Sequence, residues 1–285
     1  MLTINTSDIS PLELQGYLQS AIAPRPICLA STIDKEGQVN LSPFSYFNLF
    51  SMNPPICIFS PSRRVRDNTT KHTLENLKEV PECVINIVNY AMVQQVSLSS
   101  CEYPKNINEF TKAGFTQIPS DLVAPPRVAE SPIQLECTVA QIIAHGEKAG
   151  AGNLVLAEIK KIHIAEAVLN AHNKIDQAKL DLVARLGGDW YARINEQNLF
   201  EVTKPNTQLG MGFDLLPKFI KDLAGLTSNE KAQLANCTTL PDSLAQNTDV
   251  LVNLLPASIE AIKLELGNNN AQSAWTIIEK LASHQ

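Results

Sequence analysis

Two alternating apolar and polar runs joined by a glycine-rich connection constrain the fold of this chain more than any other feature. In Ile133 to Ala144, Ile133, Leu135, Cys137 and Val139 fall on one face and Gln134, Glu136 and Thr138 on the other; Leu154 to Ile164 is a second long run of the same kind. A period of two over such lengths specifies half-buried strands, and Gly146 to Gly152 between them makes an antiparallel hairpin. Shorter strand signals precede it at Ile27 to Ile33, Gln38 to Leu41, Ile56 to Ser60 and Cys83 to Val88. Strands at this spacing, with few helices between, predict a mainly β fold with peripheral helices: a closed or nearly closed antiparallel barrel, not an α/β sheet.

The connections agree with that frame. Met1 to Ser20 reads as a lead-in with a short amphipathic turn, and Pro24 and Pro26 force an extended entry into the first strand. Asp34 to Gly37 is a hairpin turn. Helices are expected over Thr70 to Glu79, ended by Pro81, over Ala91 to Ser99 and near Ile107 to Ala113, while Ala165 to Leu182 is helix-prone and the proline-rich Ile118 to Pro132 wraps a sheet edge. From Lys204 the style changes to short amphipathic helices, Leu215 to Leu226, Asp249 to Leu254, Ser258 to Leu266 and Ala271 to Leu281. Residues 1–203 are therefore expected to form the barrel and 204–285 a helical extension.

Composition narrows the functional classes. A chain of 285 residues, 44% hydrophobic and 18% charged, has the balance of an ordinary globular protein, and its net charge of −6 argues against a general nucleic-acid or anionic-membrane surface. The N-terminus lacks a signal-peptide pattern and no apolar run spans a bilayer, so a cytoplasmic location is expected. Six scattered cysteines without a Cys-x-x-Cys pair read as buried, reduced thiols. The five histidines are dispersed, and no metal is expected.

Against that acidic background, Ser60 to Asn76 gathers Arg63, Arg64, Arg66 and Lys71 with hydroxyls at Ser60, Ser62, Thr69, Thr70 and Thr73, between a strand and a helix start. Guanidinium groups grip phosphate oxygens bidentately, and a helix N-terminus favours an anion. The same residues also suit a solvated basic loop before a helix. Ser42 to Asn48 alternates Phe44, Tyr46 and Phe47 with small polar residues, a lining for a flat aromatic ligand with a polar edge or the core of a half-buried strand. Gly150-Ala151-Gly152 lies in the hairpin and is no dinucleotide fingerprint. Gly187 and Gly188, between Arg185 and the pair Trp190-Tyr191, allow a close backbone approach or a structural turn.

The order of these features resembles the flavin reductase-like family with an FMN-binding split barrel. The matching residues are Ala23-Pro24-Arg25-Pro26-Ile27 leading to Ser31-Thr32, Asn40 to Asn48, Asn53-Pro54-Pro55, Lys71 to Asn76, the Cys83 to Val88 strand, Asn108-Glu109-Phe110 with Ala113-Gly114-Phe115, Glu130-Ser131-Pro132 with Glu136-Cys137, and Ala184-Arg185-Leu186-Gly187-Gly188. One departure is His72, where the family usually has an acid between Lys and Thr.

The resemblance implies an antiparallel split barrel of Greek-key type and a homodimer with non-covalent FMN near the subunit interface. It places the phosphate at Ser60, Arg63, Arg64, Asn68, Thr70, Lys71 and Thr73, and the ring against Ser42, Phe44, Ser45, Tyr46 and Asn48. Arg25, Pro26, Ser31, Thr32 and Arg185 complete the cofactor-binding candidates, and no catalytic side chain is required. The implied activity is that of an NAD(P)H-dependent flavin oxidoreductase, with hydride passing from nicotinamide to flavin N5 and on to a partner monooxygenase or another acceptor. The alternatives are a flavoredoxin-like FMN electron carrier reduced by a protein partner and a split-barrel binding protein without flavin turnover.

Overall fold

In the structure, a computed structural model that describes residues 1–202, 209–241, 244 and 256–283, the alternating runs become the two longest strands. The strands are β1 (Arg25–Pro26), β2 (Cys28–Ile33), β3 (Val39–Phe44), β4 (Phe47–Met52), β5 (Pro55–Phe59), β6 (Glu82–Ile87), β7 (Gln117–Ile118), β8 (Arg127–Val128), β9 (Ile133–Ala144), β10 (Asn153–Ile164), β11 (Val183–Arg185) and β12 (Tyr191–Arg193). Seven form one sheet in the order β3-β2-β6-β9-β10-β5-β4, with every neighbouring pair antiparallel. Its two edges, β3 and β4, are consecutive in the chain, joined only by Ser45 and Tyr46. The barrel is open along that seam.

Successive residues from Ile27 into β2 serve two cores. Cys28 and Ala30 face an inner cluster with Phe44, Cys57, Phe59, Cys83, Ile85, Cys137, Val155 and Ala157. Ile27 and Leu29 face a second cluster with Leu41, Met92, Val96 and Phe110, supplied in part by the helices Val93–Leu98 and Glu109–Ala113. Small side chains at four cysteine and two alanine positions leave room for the two phenyl rings inside a narrow barrel. The helix His72–Glu79 adds Leu77 to the inner cluster.

Cys28, Cys57, Cys83 and Cys137 are free and buried, and burial pushes the Cys28 thiol well above its ordinary range. The expectation for the other two needs correction: Cys101 is exposed and Cys237 half-buried, because both lie outside the strands.

The loop over 118–132 is held to the sheet by a buried carboxylate. Glu136 accepts from the backbone N–H of Asp121 (2.9 Å) and Leu122 (2.6 Å) and lies 2.7 Å from His163 Nε2. Burial alone would raise its pKa, but these donors hold the carboxyl below the ordinary range. Asp121, Glu136 and His163 offer ligand atoms within 4.8 Å of one another, yet Lys161 bonds Asp121 and Arg127 flanks both acids. The acids are already neutralised by side-chain cations, which gives the cluster a structural reading.

Ala165 to Leu182 departs from the helical expectation. It forms a 3-10 turn at Glu166–Val168, a bridge between Leu169 and Ile175, and only four helical residues, Gln177–Leu180. The carboxamide of Asn170 accepts from the N–H of His172 and Lys174, and Asn173 and Asp181 take positive φ. Side chains that bond their own backbone compete with the helix.

Two compact units divide the chain, Met1–Leu199 and Phe200–Gln285. The second has its own core around Ile220, Leu234, Ile262, Trp275 and Ile278, with the Trp275 indole N–H donating to Leu234 O at 3.0 Å. The helices Pro256–Gly267 and Ala271–Ser283 match the expected final pair. Leu215 to Leu226 does not form one helix: a 3-10 turn at Phe213–Leu215 is followed by Lys218–Lys221 alone. Pro217 separates the two, and a Cβ on Gly225 would meet Ile259 at 2.7 Å, so the chain turns there to let Ile259 in. The expected helix Asp249 to Leu254 lies outside the described residues.

Glu136→Gln is expected to lower stability by roughly 1–3 kcal/mol, since the donors facing it lose a charged acceptor. A carboxyl with a depressed folded pKa contributes stability above its unfolded value of about 4.3 and loses that contribution as pH falls through the folded value. Urea unfolding of both proteins across the acid range should therefore converge at low pH; a gap that is independent of pH would contradict this role.

Candidate functional site

The basic segment folds into a loop gripped by the tip of the long hairpin. Arg63 N–H donates to Ala151 O (2.9 Å), the Asn68 carboxamide donates to Glu147 O (3.0 Å), and that of Asn153 donates to Pro61 O (3.0 Å). Within the loop, Arg63 donates from Nε and Nη2 to Asn68, whose φ of 60° places it in the left-handed region. Arg64 Nη1 donates to Thr69 Oγ1 (2.9 Å) and Thr70 O (2.7 Å). The arginines thus build the loop that carries them.

A residue that sequence reasoning missed completes the loop. Glu102, far along the chain between two helices, bridges Arg64 Nε through Oε1 (3.1 Å) and Arg66 Nη2 through Oε2 (2.6 Å). Its contact with Arg66, followed by those with Arg64, keeps its carboxyl below the ordinary range. Nothing local to Glu102 signals this partnership, which exists only in the fold.

Lys71 stands at the head of the helix His72–Glu79, whose N-terminus has no side-chain cap. Its Nζ lies 5.0 Å from the centroid of the Phe44 ring, and burial, then the neighbouring Arg64, lower its pKa. Phe44 in turn packs on Phe59 at 5.2 Å between ring centroids. Ser60 N–H donates to Tyr46 O (2.9 Å), and the Ser60 and Ser62 hydroxyls are 3.1 Å apart. The basic loop and the aromatic segment, separate in sequence, are therefore neighbours.

Phe44 and Ser45 also line a cavity of about 710 Å³ whose other walls include Tyr90, Gln94, Ser97, Arg185, Tyr191 and Arg193. Arg193 lies 3.7 Å over the Tyr90 ring and bonds both Asp181 oxygens, while Arg185 lies 4.6 Å from the Tyr191 ring. Phe44 is shared by the two regions: Lys71 sits over its ring, and the cavity borders it.

Several expected residues are engaged elsewhere. Arg25 is buried and donates to the carbonyls of Gln19, Ile22 and Leu186, a cation at the C-terminal end of the helix Pro11–Ala21. Pro26 is exposed in β1. Ser31 and Thr32 are buried in β2, with Thr32 Oγ1 accepting from Asn76. Thr73 donates to Asn40 Oδ1 (2.8 Å), whose amide bonds Glu109; burial raises the pKa of that acid. Thr70 donates to Glu75 (2.7 Å), Asn48 accepts from the backbone of Leu49, and Ser42 is half-buried in β3.

Of the paired glycines, Gly187 packs against the first helix. A Cβ on Gly187 would lie 3.0 Å from Ser20 Cα and closer still to Ser20 Oγ, while Gly188 takes a φ of 56° in the turn to β12. Leu186 O, next to Gly187, receives Arg25 Nη2 at 2.9 Å.

The profile of the family described as "Flavin reductase like domain" matches residues 20–179. An uncharacterized protein of Halalkalibacterium halodurans is 34% identical over 206 residues, 72% of this chain and 97% of that one. Among solved structures, nitrilotriacetate monooxygenase component B from Bacillus cereus superposes with a TM-score of 0.66 at 30% identity, covering 71% of this chain and 98% of its own. Flavoredoxin of Desulfovibrio vulgaris (Miyazaki F), at 22% identity and a TM-score of 0.54 over 65% of this chain and 92% of its own, shares the fold. The antiparallel sheet with its open seam is thus a split barrel.

Gly187→Ala should cost roughly 1–3 kcal/mol, the range for overpacking, because the added Cβ meets the Ser20 hydroxyl, which is held on Gly16 O, and behind it the Ser20 Cα at 3.0 Å. Thermal unfolding of the variant measures this; an unchanged midpoint would mean that the helix Pro11–Ala21 is not pressed against the turn.

Proposed function

The chain belongs to the flavin reductase-like family, and from that premise we propose that it is an FMN-binding oxidoreductase drawing hydride from NADH or NADPH and serving a partner monooxygenase or a small acceptor. The observation that carries the reading is the anion geometry already present in the basic loop: one carboxylate, that of Glu102, joins two guanidinium groups beside Lys71. A phosphate monoester presents oxygens at similar spacing to the same donors. The hairpin tip fits it too, since a Cβ on Gly152 would press on Ser60 Oγ at 3.3 Å, and glycine leaves that hydroxyl clear.

The residues present suit the group. Arg63, Arg64, Arg66 and Lys71, with the hydroxyls of Ser60 and Ser62, would hold the phosphate end, and the Phe44 to Tyr46 seam would take the ring. When bound, flavin supplies the hydride and electron chemistry. The protein contributes position and exclusion of water: Phe44, fixed by Phe59, links the charged loop to the cavity, whose volume lies in the usual range for a cofactor or ligand site. Residues 1–203 carry this work, and 204–285 are an appended helical extension.

Self-association is part of the proposal. The helix Pro11–Ala21 buries none of its residues, leaving Leu12 and Leu18 exposed, and edge strand β4 exposes Leu49, Phe50 and Met52. Apolar surface of this extent calls for a partner, and a second copy of the chain meets that need. The likeness to a monooxygenase component B supports delivery of reduced flavin to another protein.

An absorbance spectrum after addition of FMN, followed by NADH and NADPH oxidation assays, tests the activity. Tight flavin binding with FMN-dependent nicotinamide oxidation is expected; bound flavin without oxidation would move the reading to an electron carrier, and no binding would end it. Lys71→Met should weaken FMN binding by about 1.5–3 kcal/mol, the value of a charge-assisted contact, with little effect on riboflavin. Because its folded pKa is lowered, the Lys71 charge is lost at a lower pH than for an ordinary lysine, so wild-type FMN affinity should decline on the alkaline side sooner than for the variant. Equal loss for both flavins in Lys71→Met would remove the phosphate assignment.

A further inference from the structure

Glu102 occupies the position that an incoming anion would want. Its two oxygens are divided between Arg64 and Arg66, and Arg64 has no other acid partner among the described residues. Arg66 shares itself between Glu102 and the adjacent Asp67. The Glu102 side chain is about half exposed, at 48%, so it can swing into water without a large burial penalty. It lies two residues beyond Ser100, which lines the cavity together with Ser97 of the preceding helix. One side chain therefore joins the basic loop to the segment behind a cavity wall.

We propose that Glu102 is an internal competitor for the phosphate site: it holds Arg64 and Arg66 in place in the free protein, yields them to the phosphate of FMN, and so releases the connector 99–107. This rests on the FMN reading above and adds a residue that sets how strongly the protein prefers phosphorylated over unphosphorylated flavin. A carboxylate left in place would repel a phosphate dianion at short range, so occupancy and displacement are coupled. Removing its charge lifts the competition while the guanidinium groups remain.

The test is titration of the full-length protein and of Glu102→Gln with FMN and with riboflavin, with Glu102→Ala as a second variant to separate charge from shape. Both variants should bind FMN about three- to tenfold more tightly, the scale of two lost surface ion pairs, with riboflavin affinity unchanged and the FMN gain shrinking as salt is raised. Hydrogen exchange over residues 99–107 of the wild type should quicken on addition of FMN and not of riboflavin. Weaker FMN binding by both variants would make Glu102 a positioning residue and overturn the proposal. So would equal gains for the two flavins, or exchange unchanged by FMN. A wild-type protein that binds neither flavin would instead defeat the functional reading on which the proposal stands.

Discussion

The grip of the long hairpin on the basic loop is the interaction on which the rest of this structure depends. Three hydrogen bonds run between the hairpin tip and the loop, from Arg63 N–H, the Asn68 amide and the Asn153 amide. Four cations within nine residues repel one another and would spread in water; tied to backbone carbonyls they are kept together, and the convergence favours an anion. The same tie sets the loop beside Tyr46 and Phe44, so a charged end and an aromatic wall meet at the open seam between β3 and β4. Hairpin, loop and seam thus form a single device.

The charged groups divide into those that build and those left to act. Arg25 ties the end of the first helix to Leu186, and Arg193 is locked between Tyr90 and Asp181. Glu136 accepts from the backbone N–H groups of Asp121 and Leu122, and Glu109 from the buried N–H of Leu41. Lys71 differs from these: it is partly buried, with a lowered pKa and an aromatic ring beneath it. A cation held so, at the start of a helix, is the group on which the proposed phosphate site most depends.

Much of the fold was legible because period and punctuation are local. The β9–β10 hairpin, the β2–β3 turn at Gly37 and the end of the second helix at Pro81 follow from short-range rules. Ala165 to Leu182 was misread because its asparagines bond their own backbone, and Leu215 to Leu226 because Gly225 must admit Ile259. At the site, residue types marked out the basic loop but not the partners its side chains take. His163 beside Glu136 follows from the hairpin register, which pairs His163 with Gln134 and so sets Glu136 diagonally across, once that register is known. Glu102 and the contact between Gly187 and Ser20 follow from nothing local.

Phosphorus NMR of FMN bound to the protein, followed across pH, tests the phosphate cradle most directly. A free phosphate monoester loses its second proton, becoming a dianion, with a pKa of about 6. A phosphate held by Arg63, Arg64 and Lys71 should stay dianionic well below that value, with a resonance that does not move through the free ester's titration. A bound resonance that titrates as the free ester does would place the phosphate in open solvent and contradict the account.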